Sequence, residues 1–385
     1  MHPTAEILLW ASLAIVVYCY VVYPPLIWCL SRLFGSHREA APLREDDLPG
    51  VTLLIAAHNE ERWIGQRVEN ALAADYPRAR LEILVASDGS RDATVAIAER
   101  YVDRGVRVLD FRENRGKATA LNAAMLEARH PLVVFSDANT FFEPGALRHL
   151  VSWFTDPAVG AVCGRLVLID PAKGRNVDSL YWKYETFMKK CESRLGALLG
   201  ANGAIYALRK SDYVPILPDT LVDDFTIPLV SKLKTGKAIV FDSHALAWEE
   251  CPPAIRDEFR RRSRIGAGGY QAVVRLLPLL SPAHGWIGFA FFSHKILRWL
   301  CPFFLILALG ANLLCLESPA YVALLSAQLA FYLVSLAGAL VPGQGIVGRL
   351  VRLPAMFTSM NVALLIGFWN WLFSQQRGVW QRTAR

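Results

Sequence analysis

Cysteine spacings typical of a metal site or a redox pair are absent from this sequence. The seven cysteines stand at positions 19, 29, 163, 191, 251, 301 and 315, and no two of them form a C-x-x-C pair. A zinc site built from cysteines is therefore excluded. Several of the cysteines lie in apolar runs, so we predict reduced thiols that act as small hydrophobic side chains in a reducing compartment.

Charge is absent from four long stretches near the two ends of the chain, at residues 7–31, 299–316, 318–348 and 353–376. Each of these stretches has about the length that an α-helix needs to cross a bilayer. Residues 51–264, in contrast, have the composition of a globular domain. With 54% hydrophobic residues and a mean hydropathy of +0.29, this uneven distribution predicts a soluble domain tethered to a membrane.

The positions of the arginines predict the membrane topology. No Lys or Arg precedes the first run, whereas Arg32, Arg38 and Arg44 follow it. This disfavours a cleaved signal peptide and places residue 40 onward in the cytosol. We expect spans at 299–316 and 318–348. The run at 353–376 has arginines on both sides, so it is either a fourth span or a re-entrant or interfacial helix.

We therefore expect a multi-pass protein of the cell inner (plasma) membrane with three regions. These are a transmembrane helix over 1–31, a cytosolic domain over 50–275, and an interfacial helix followed by transmembrane helices over 276–385. The interfacial helix is predicted at 285–298, where aromatic and basic side chains are mixed.

The net charge of +7 predicts membrane lipids, and no nucleic acid, as a partner. Many of the basic residues lie beside the hydrophobic runs, where arginine favours anionic lipid, and they form no stripe interleaved with aromatic residues. A transporter or channel is disfavoured, because the cytosolic domain fills over half of the chain and the spans lack inward charges.

Short apolar strands alternate with amphipathic helices from residue 51 to about residue 165. Strands are predicted at 51–57, 82–87, 107–111 and 132–136, and helices at 62–74, 91–104 and 118–128. This alternation indicates an α/β fold with a mostly parallel sheet covered on both faces. Ligands of such sheets bind beyond the carboxyl ends of the strands, where the polar clusters 87–92 and 136–139 fall.

Two polar turns follow the first two strands, at 57–60 and 87–92. Asp88 and Asp92 could accept hydrogen bonds from a base or a ribose. The alternative is structural: Asp-Gly-Ser is a common turn, and Asp92 would cap the helix that starts at Ala93. On the residues alone the structural interpretation is favoured.

Asp137 and Asn139 follow the apolar strand at 132–136 and stand two residues apart. Oxygen ligands of this kind suit Mg²⁺ or Mn²⁺ bridging two phosphates, although an Asx turn has the same letters. Arg115, Gly116 and Lys117 stand where a loop meets a helix, so Lys117 could contact phosphate. The alternative is a solvated helix N-terminus.

Two further charged segments lie nearer the C-terminus. Asp223 and Asp224 are adjacent acids in an apolar stretch, where one could act as a general base and the other contact a structural partner. The alternative is a helix start with acids favoured by the helix dipole. Arg261 and Arg264 fall on one helical face and could bind a diphosphate, although an arginine-rich segment also suits anionic lipid.

In order and spacing these segments resemble glycosyltransferase family 2, and within it the membrane-integrated group of hyaluronan, cellulose and poly-N-acetylglucosamine synthases. The resemblance covers nearly the whole chain from residue 51. The matching segments are 57–60, 87–90, 116–122, 137–139, 200–203, 223–224 and the arginine run to 264.

The resemblance implies a GT-A fold that binds a UDP-sugar and Mg²⁺ or Mn²⁺. It implies metal binding by Asp137 with Asn139 beside it, and it makes Asp224 the candidate general base. The implied substrate-binding residues are Ala57, Asn59, Glu60, Asp88, Ser90, Lys117, Asp137, Asn202, Gly203, Asp223, Arg261 and Arg264.

The sequence departs from the family pattern at two places. Asn139 replaces a second metal-binding carboxylate, and Arg261 and Ile265 stand where polymerising members have Gln and Trp. The first departure bears on metal affinity and the second on processive polymerisation, whereas neither removes a residue needed for sugar transfer.

We therefore expect an inverting glycosyltransferase that moves a sugar from a UDP-sugar to a lipid-linked or polysaccharide acceptor at the inner face of the membrane. Such an enzyme would serve exopolysaccharide or glycolipid synthesis. A homo-oligomer or an export partner could supply the further spans that a polymer channel needs. The alternative is a non-catalytic membrane sugar-nucleotide sensor or assembly subunit.

Overall fold

The computed structural model describes residues 3–170, 175–176, 180–250, 255–340 and 345–373. The described residues divide into two compact units. The α/β unit contains those within 27–253 and 274–290, and the helical unit contains those within 3–26, 254–273 and 291–376.

A mixed sheet of nine strands forms the framework of the α/β unit within the described residues. The strands are β1 Val51–Ala57, β2 Leu81–Asp88, β3 Val106–Phe111, β4 Leu132–Asp137, β5 Phe141–Phe142, β6 Val159–Asp170, β7 Arg175–Asn176, β8 Tyr206–Arg209 and β9 Ala238–Glu250. Their order is β3-β2-β1-β4-β8-β6-β9-β5, and β7 pairs with β6. β3, β2, β1 and β4 run parallel, whereas β8 is antiparallel to both of its neighbours.

Strands β1 and β2 are buried along their whole length, as their continuous apolar sequences predict. The register pairs Ala57 with Ser87 and Ala56 with Asp137, so β1, β2 and β4 end at the same edge of the sheet. The polar residues that follow these strands are therefore brought together.

Thirteen α-helices lie within the described residues. They are α1 Pro3–Val17, α2 Tyr23–Leu33, α3 Ile64–Leu72, α4 Thr94–Glu99, α5 Lys117–Glu127, α6 Ala146–Ser152, α7 Leu180–Arg194, α8 Asp223–Thr235, α9 Ile255–Arg275, α10 Trp286–Ala290, α11 Leu297–Leu313, α12 Pro319–Leu340 and α13 Gly345–Leu372. In the α/β unit, Ile64, Val68 and Ala71 of α3 belong to one apolar core together with residues of β1, β2 and β4.

The predicted α/β pattern is confirmed between residues 51 and 137, with one difference. The helix expected over 91–104 is shorter and consists of α4 followed by a 3₁₀ turn, Val102–Arg104. Its start is fixed by Asp92, whose Oδ1 accepts a 3.0 Å hydrogen bond from the Thr94 N–H. The turn ends at Gly105, whose φ of +84° breaks helical geometry. Asp92 thus has a structural role at the start of α4, as the structural interpretation predicts, although Ala93 is the residue directly before that helix.

Four of the described helical segments are long and apolar enough to cross a membrane: Pro3–Leu33, Trp286–Leu313, Pro319–Gly338 and Val351–Leu372. The undecided run at 353–376 therefore contains a helix of spanning length. Within the segment expected as an interfacial helix at 285–298, α10 is followed by a π-helical turn, Phe291–Ile296, and by the start of α11. Its interfacial position stays a prediction.

Candidate active site

The turn after β1 is tied to the turn after β2 by the side chains of Asn59 and Ser90. The Asn59 N–H donates to Ser90 Oγ over 3.1 Å, and Asn59 Oδ1 accepts a 2.8 Å hydrogen bond from the Arg91 N–H. Asn59 has a φ of +55°, a left-handed conformation that asparagine adopts more readily than most residues. Ala57, the last residue of β1, pairs with Ser87, and the Glu60 N–H donates to Thr94 Oγ1 over 2.7 Å.

Asp88 organises the loop that precedes α5. Its two carboxylate oxygens accept hydrogen bonds of 2.9 Å from the N–H groups of Arg115 and Gly116, and the residue is 1% exposed. Gly89 allows this approach, because a Cβ there would lie 2.3 Å from the Asn114 nitrogen. The predicted contact of Asp88 with a nucleoside stays a prediction, whereas its hold on the backbone next to Lys117 is a structural finding.

Lys117, the first residue of α5, turns its ammonium group toward two acids. Its Nζ lies 2.8 Å from Asp137 Oδ1 and 3.2 Å from Asp223 Oδ2. Burial alone would lower the pKa of Lys117, but the charges of Asp137 and Asp223 outweigh burial and raise that pKa above its usual value. The site therefore contains a permanent cation.

Asp224 stands beside this group and is held by backbone. Its Oδ2 accepts a 2.8 Å hydrogen bond from the Gly203 N–H, and its Oδ1 accepts one of 3.0 Å from the Phe225 N–H. A Cβ on Gly203 would lie 3.3 Å from Asp224 Oδ2 and 3.6 Å from Asp137 Oδ2, so these two carboxylates lie on the same side of Gly203. The glycine keeps open the space between them.

Asp223 is the most buried of the three acids, at 8% exposed. Burial raises the pKa of its carboxyl, and the charge of Lys117 opposes this rise, whereas the charges of Asp224 and Asp137 add to it. Three acids and one lysine leave an excess of negative charge at this edge of the sheet. An arriving cation would therefore be attracted.

The residues around Asp137 fit a divalent cation that the substrate helps to bind. Among the described residues, no group of three or more His, Cys, Asp or Glu side chains could hold a metal ion. Asp137 offers its Oδ2 oxygen on the side of Gly203, and Asn139 lies buried in the turn that follows β4. One carboxylate plus substrate phosphates is the ligand set typical of Mg²⁺ in nucleotide sites.

The structure thus places six of the predicted residues in one group: Asp88, Lys117, Asp137, Gly203, Asp223 and Asp224. Asn202 precedes Gly203 in the same loop and is partly exposed. Arg261 and Arg264 lie on α9 in the helical unit, and their contact with a leaving group stays a prediction.

Tyr206, the first residue of β8, lies on the same face of the sheet as Asp137, and the sequence does not reveal this placement. Its ring stacks on that of Phe135 with centroids 4.5 Å apart, and it is 1% exposed. Burial raises the pKa of its phenol, and so do the charges of Asp223, Asp224 and Asp137. Only the pairing of β8 with β4 brings Tyr206 to these acids.

A separate cleft of 810 Å³ lies elsewhere in the α/β unit. Its walls include Arg38, Arg148 and Arg194, and none of the predicted site residues lines it.

Comparisons with known proteins agree with the predicted family. Residues 52–213 match the family model described as glycosyl transferase family 2. The poly-beta-1,6-N-acetyl-D-glucosamine synthase of Staphylococcus aureus (strain COL) is 26% identical over 277 residues, which are 66% of this chain and 65% of that protein. The protein of the same name from Staphylococcus epidermidis is 24% identical over an equal length. This chain thus spans slightly less than two thirds of these relatives.

Among solved structures, the mannosyltransferase PcManGT from Pyrobaculum calidifontis, in complex with GDP-Man and Mn²⁺, has the same fold. The TM-score is 0.74 at 22% identity, over 96% of this chain and 100% of that chain. The predicted GT-A fold is confirmed by this similarity and by the mixed sheet. Over residues 52–213 the chain is thus similar to glycosyl transferase family 2, and it is related in sequence to the staphylococcal synthases.

Proposed function

We propose that this enzyme moves a sugar from a nucleoside-diphosphate sugar to a lipid-linked or polysaccharide acceptor at the inner face of the plasma membrane, with inversion at the anomeric carbon. The observation that carries the proposal is the grouping of Lys117 with Asp137, Asp223 and Asp224 at the carboxyl edge of the sheet. It combines a phosphate-binding cation, a metal ligand and a general base.

Lys117 is the residue that we propose for the donor diphosphate. Its ammonium is positively charged and lies between Asp137 and Asp223, so an incoming diphosphate would compete with these two carboxylates for it. Asp88 supports this role, because its carboxylate accepts hydrogen bonds from the Arg115 and Gly116 N–H groups, which directly precede Lys117. The lysine is thereby positioned before the donor arrives.

Asp224 is the residue that we propose as the general base. It is partly exposed, and its hydrogen bond with the Gly203 N–H fixes the direction of the carboxylate. A carboxylate held in this way can take the proton from an acceptor hydroxyl while that oxygen attacks the anomeric carbon. A single displacement of this kind turns an α-linked donor into a β-linked product.

Asp137 would hold Mg²⁺ or Mn²⁺, with Asn139 beside it. When bound, such a cation neutralises charge that develops on the leaving diphosphate. The Mn²⁺ in the PcManGT complex supports this proposal. Because Asp137 is the one carboxylate in the D-x-N segment, we expect metal to bind firmly only together with the donor.

The identity of the donor is where the relatives differ. PcManGT is in complex with GDP-Man, whereas the staphylococcal relatives are named for a polymer of N-acetylglucosamine. Our prediction is a UDP-sugar. The four helical segments of spanning length support a membrane-bound acceptor, and the arginines after residue 31 support a cytosolic active site.

The proposal is tested by incubating membranes that contain the enzyme with radiolabelled UDP-sugars and with GDP-mannose, and then sizing the product. A labelled lipid of low mass would indicate single addition, and a product of high mass would indicate a polysaccharide synthase. Transfer from GDP-mannose alone would refute the UDP-sugar assignment. No transfer from any donor would favour the sensor or assembly subunit.

A further inference from the structure

Tyr206 carries a hydroxyl that has no hydrogen-bond partner among the described residues, although it is fully buried. Tyr213 offers a direct comparison. Its ring also stacks on Phe135, at 6.4 Å, but its hydroxyl donates to Asn122 Oδ1 over 2.7 Å. A buried hydroxyl without a partner destabilises a fold, and phenylalanine would fill the same space without this loss. The hydroxyl of Tyr206 therefore does not stabilise the free enzyme, and we look for its function in another state of the enzyme.

The position of Tyr206 in the sheet points to the acid group. Tyr206 lies directly opposite Phe135 in the β4–β8 pair, and Asp137 follows Phe135 by two residues. Residues two apart on a strand share a face, so Tyr206 and Asp137 lie on the same face of the sheet. Asp137 shares Lys117 with Asp223, so a hydroxyl without an acceptor lies on the face of the sheet that carries this pair of acids. Burial and the charges of these acids raise the pKa of the phenol, in agreement with this placement.

Two of the three acids, Asp137 and Asp223, share Lys117 in the free enzyme. Asp137 is proposed to gain the metal ion when the donor binds, so Asp223 is the acid that would be left without a cation if Lys117 moves. Both oxygens of Asp224 accept backbone N–H groups, whereas Asp223 Oδ2 is paired with Lys117. If Lys117 turns toward the donor diphosphate, which is part of the function proposed above, Asp223 becomes a buried carboxylate with a weaker partner. Such a state is strongly unfavourable unless another donor replaces the lysine.

We propose that Tyr206 is a positioning residue for the transfer reaction, whose hydroxyl donates a hydrogen bond to the Asp223 carboxylate when Lys117 moves to the donor diphosphate. The hydroxyl has no hydrogen-bond acceptor among the described residues of the free enzyme and gains one, the Asp223 carboxylate, in the donor complex. Tyr206 thus favours donor binding without touching the donor.

The first test compares Tyr206→Phe with wild type in the detergent-solubilised full-length enzyme. Without ligand, the melting temperature should stay the same or rise, because an unpartnered hydroxyl is removed. The Kd for UDP, measured in the presence of Mn²⁺, should rise by about tenfold, which is the effect of losing a hydrogen bond to a charged group. The Kd for GDP with Mn²⁺ is measured in parallel. The KM for the donor should rise by a similar factor. The kcat should change by less than about threefold, because the proposed general base and metal ligand are still present.

Tyr213→Phe is the matched control, because it removes a hydroxyl that already has a partner. It should lower the melting temperature both with and without UDP and leave the Kd for UDP unchanged. If Tyr206→Phe behaves in the same way, its hydroxyl has a permanent structural partner and the proposal is overturned. An unchanged Kd and KM in Tyr206→Phe would also overturn it.

The second test needs no donor. Lys117→Met leaves Asp223 without its cation, so Tyr206 should become its hydrogen-bond donor already in the free enzyme. Adding Tyr206→Phe should then lower the melting temperature in the Lys117→Met background but not in wild type. Equal effects in both backgrounds would contradict the proposal. Lys117→Gln serves if Lys117→Met does not fold, because its uncharged amide also removes the cation.

The two proposals fail in different ways. If Lys117 does not bind the diphosphate, Lys117→Met will leave the Kd for UDP unchanged, whatever Tyr206 does. If Lys117 binds it but Tyr206 has no part, Lys117→Met will weaken UDP binding while Tyr206→Phe will not.

Discussion

Asp224 Oδ2 accepts a 2.8 Å hydrogen bond from the backbone N–H of Gly203. The candidate base is therefore oriented by main chain, which moves less than a side chain would. The same loop is held a second time, because the Ala201 N–H donates to the Asp224 carbonyl oxygen over 2.9 Å. The start of α8 and the loop at 200–203 are thus joined by two hydrogen bonds, and both of them are made by Asp224.

Replacing Asp88 by asparagine should weaken both the fold and donor binding. The amide can accept from only one of the Arg115 and Gly116 N–H groups, so the other loses its partner. We expect the free energy of unfolding to fall by about 2 kcal/mol. We also expect the Kd for the donor nucleotide to rise by about tenfold, because the backbone that positions Lys117 is less well ordered. Thermal unfolding and titration calorimetry measure the two effects.

Asp242→Asn is the matched control for this prediction. Asp242 is also buried, at 5% exposed, and accepts 2.8 Å hydrogen bonds from the Trp153 side chain and the His244 N–H. We expect a similar loss of stability and no change in nucleotide affinity. Equal losses of affinity in the two variants would show that Asp88 acts only through general stability.

Asn139→Asp should strengthen metal binding. A second carboxylate after β4 adds negative charge and an oxygen ligand next to Asp137, so the Mn²⁺ concentration for half-saturation should fall by about three- to tenfold. The measurement is the Mn²⁺-dependent rise in melting temperature in the presence of UDP. Without metal the variant should be less stable than wild type, because Asn139 is 5% exposed and a buried carboxylate is unfavourable. An unchanged Mn²⁺ dependence would place the side chain away from the metal.

Glu82 should contribute to acid denaturation. Burial raises the pKa of its carboxyl, but hydrogen bonds from Thr52 Oγ1 at 2.6 Å and the Arg129 N–H at 2.8 Å, together with Arg107, outweigh burial and lower it. A lowered pKa in the folded state means that the charged form stabilises the fold above about pH 4.3, the usual value for glutamate. This stability is lost as the pH falls through the folded-state pKa.

Glu82→Gln should therefore lower the free energy of unfolding by about 2 kcal/mol at neutral pH. Below about pH 4.3, the free energy of unfolding of the variant should fall less steeply with pH than that of wild type. Unfolding measured across this pH range checks the prediction. A slope equal to that of wild type would assign the acid sensitivity to other carboxyl groups.

The first half of the fold was predictable because its strands are continuous apolar runs. β1 was predicted with its observed bounds, β3 and β4 differ from prediction by one residue at one end, and β2 is longer than predicted by one residue at each end. Parallel strands of this kind must end at one edge, so the placement of Asp88 and Asp137 at the same edge of the sheet followed from local sequence alone.

The remainder depends on long-range pairing that the sequence does not display. β8 has four residues, and its place beside β4 comes from a pairing across about seventy residues of chain. Without that pairing, Tyr206 is one aromatic residue among many. The ion pair of Lys117 with Asp223 is equally non-local, since it joins the start of α5 to the start of α8.

The most direct test of the account is a comparison of transfer and nucleotide binding in wild type and Asp224→Asn. The amide keeps the shape of the side chain and can still accept from the Gly203 N–H, but it cannot take a proton. We predict that single-turnover transfer from the preferred donor falls by at least about a hundredfold, while the Kd for the nucleotide with Mn²⁺ changes by less than about threefold. Transfer at the wild-type rate in Asp224→Asn would contradict the assignment of Asp224 as the general base.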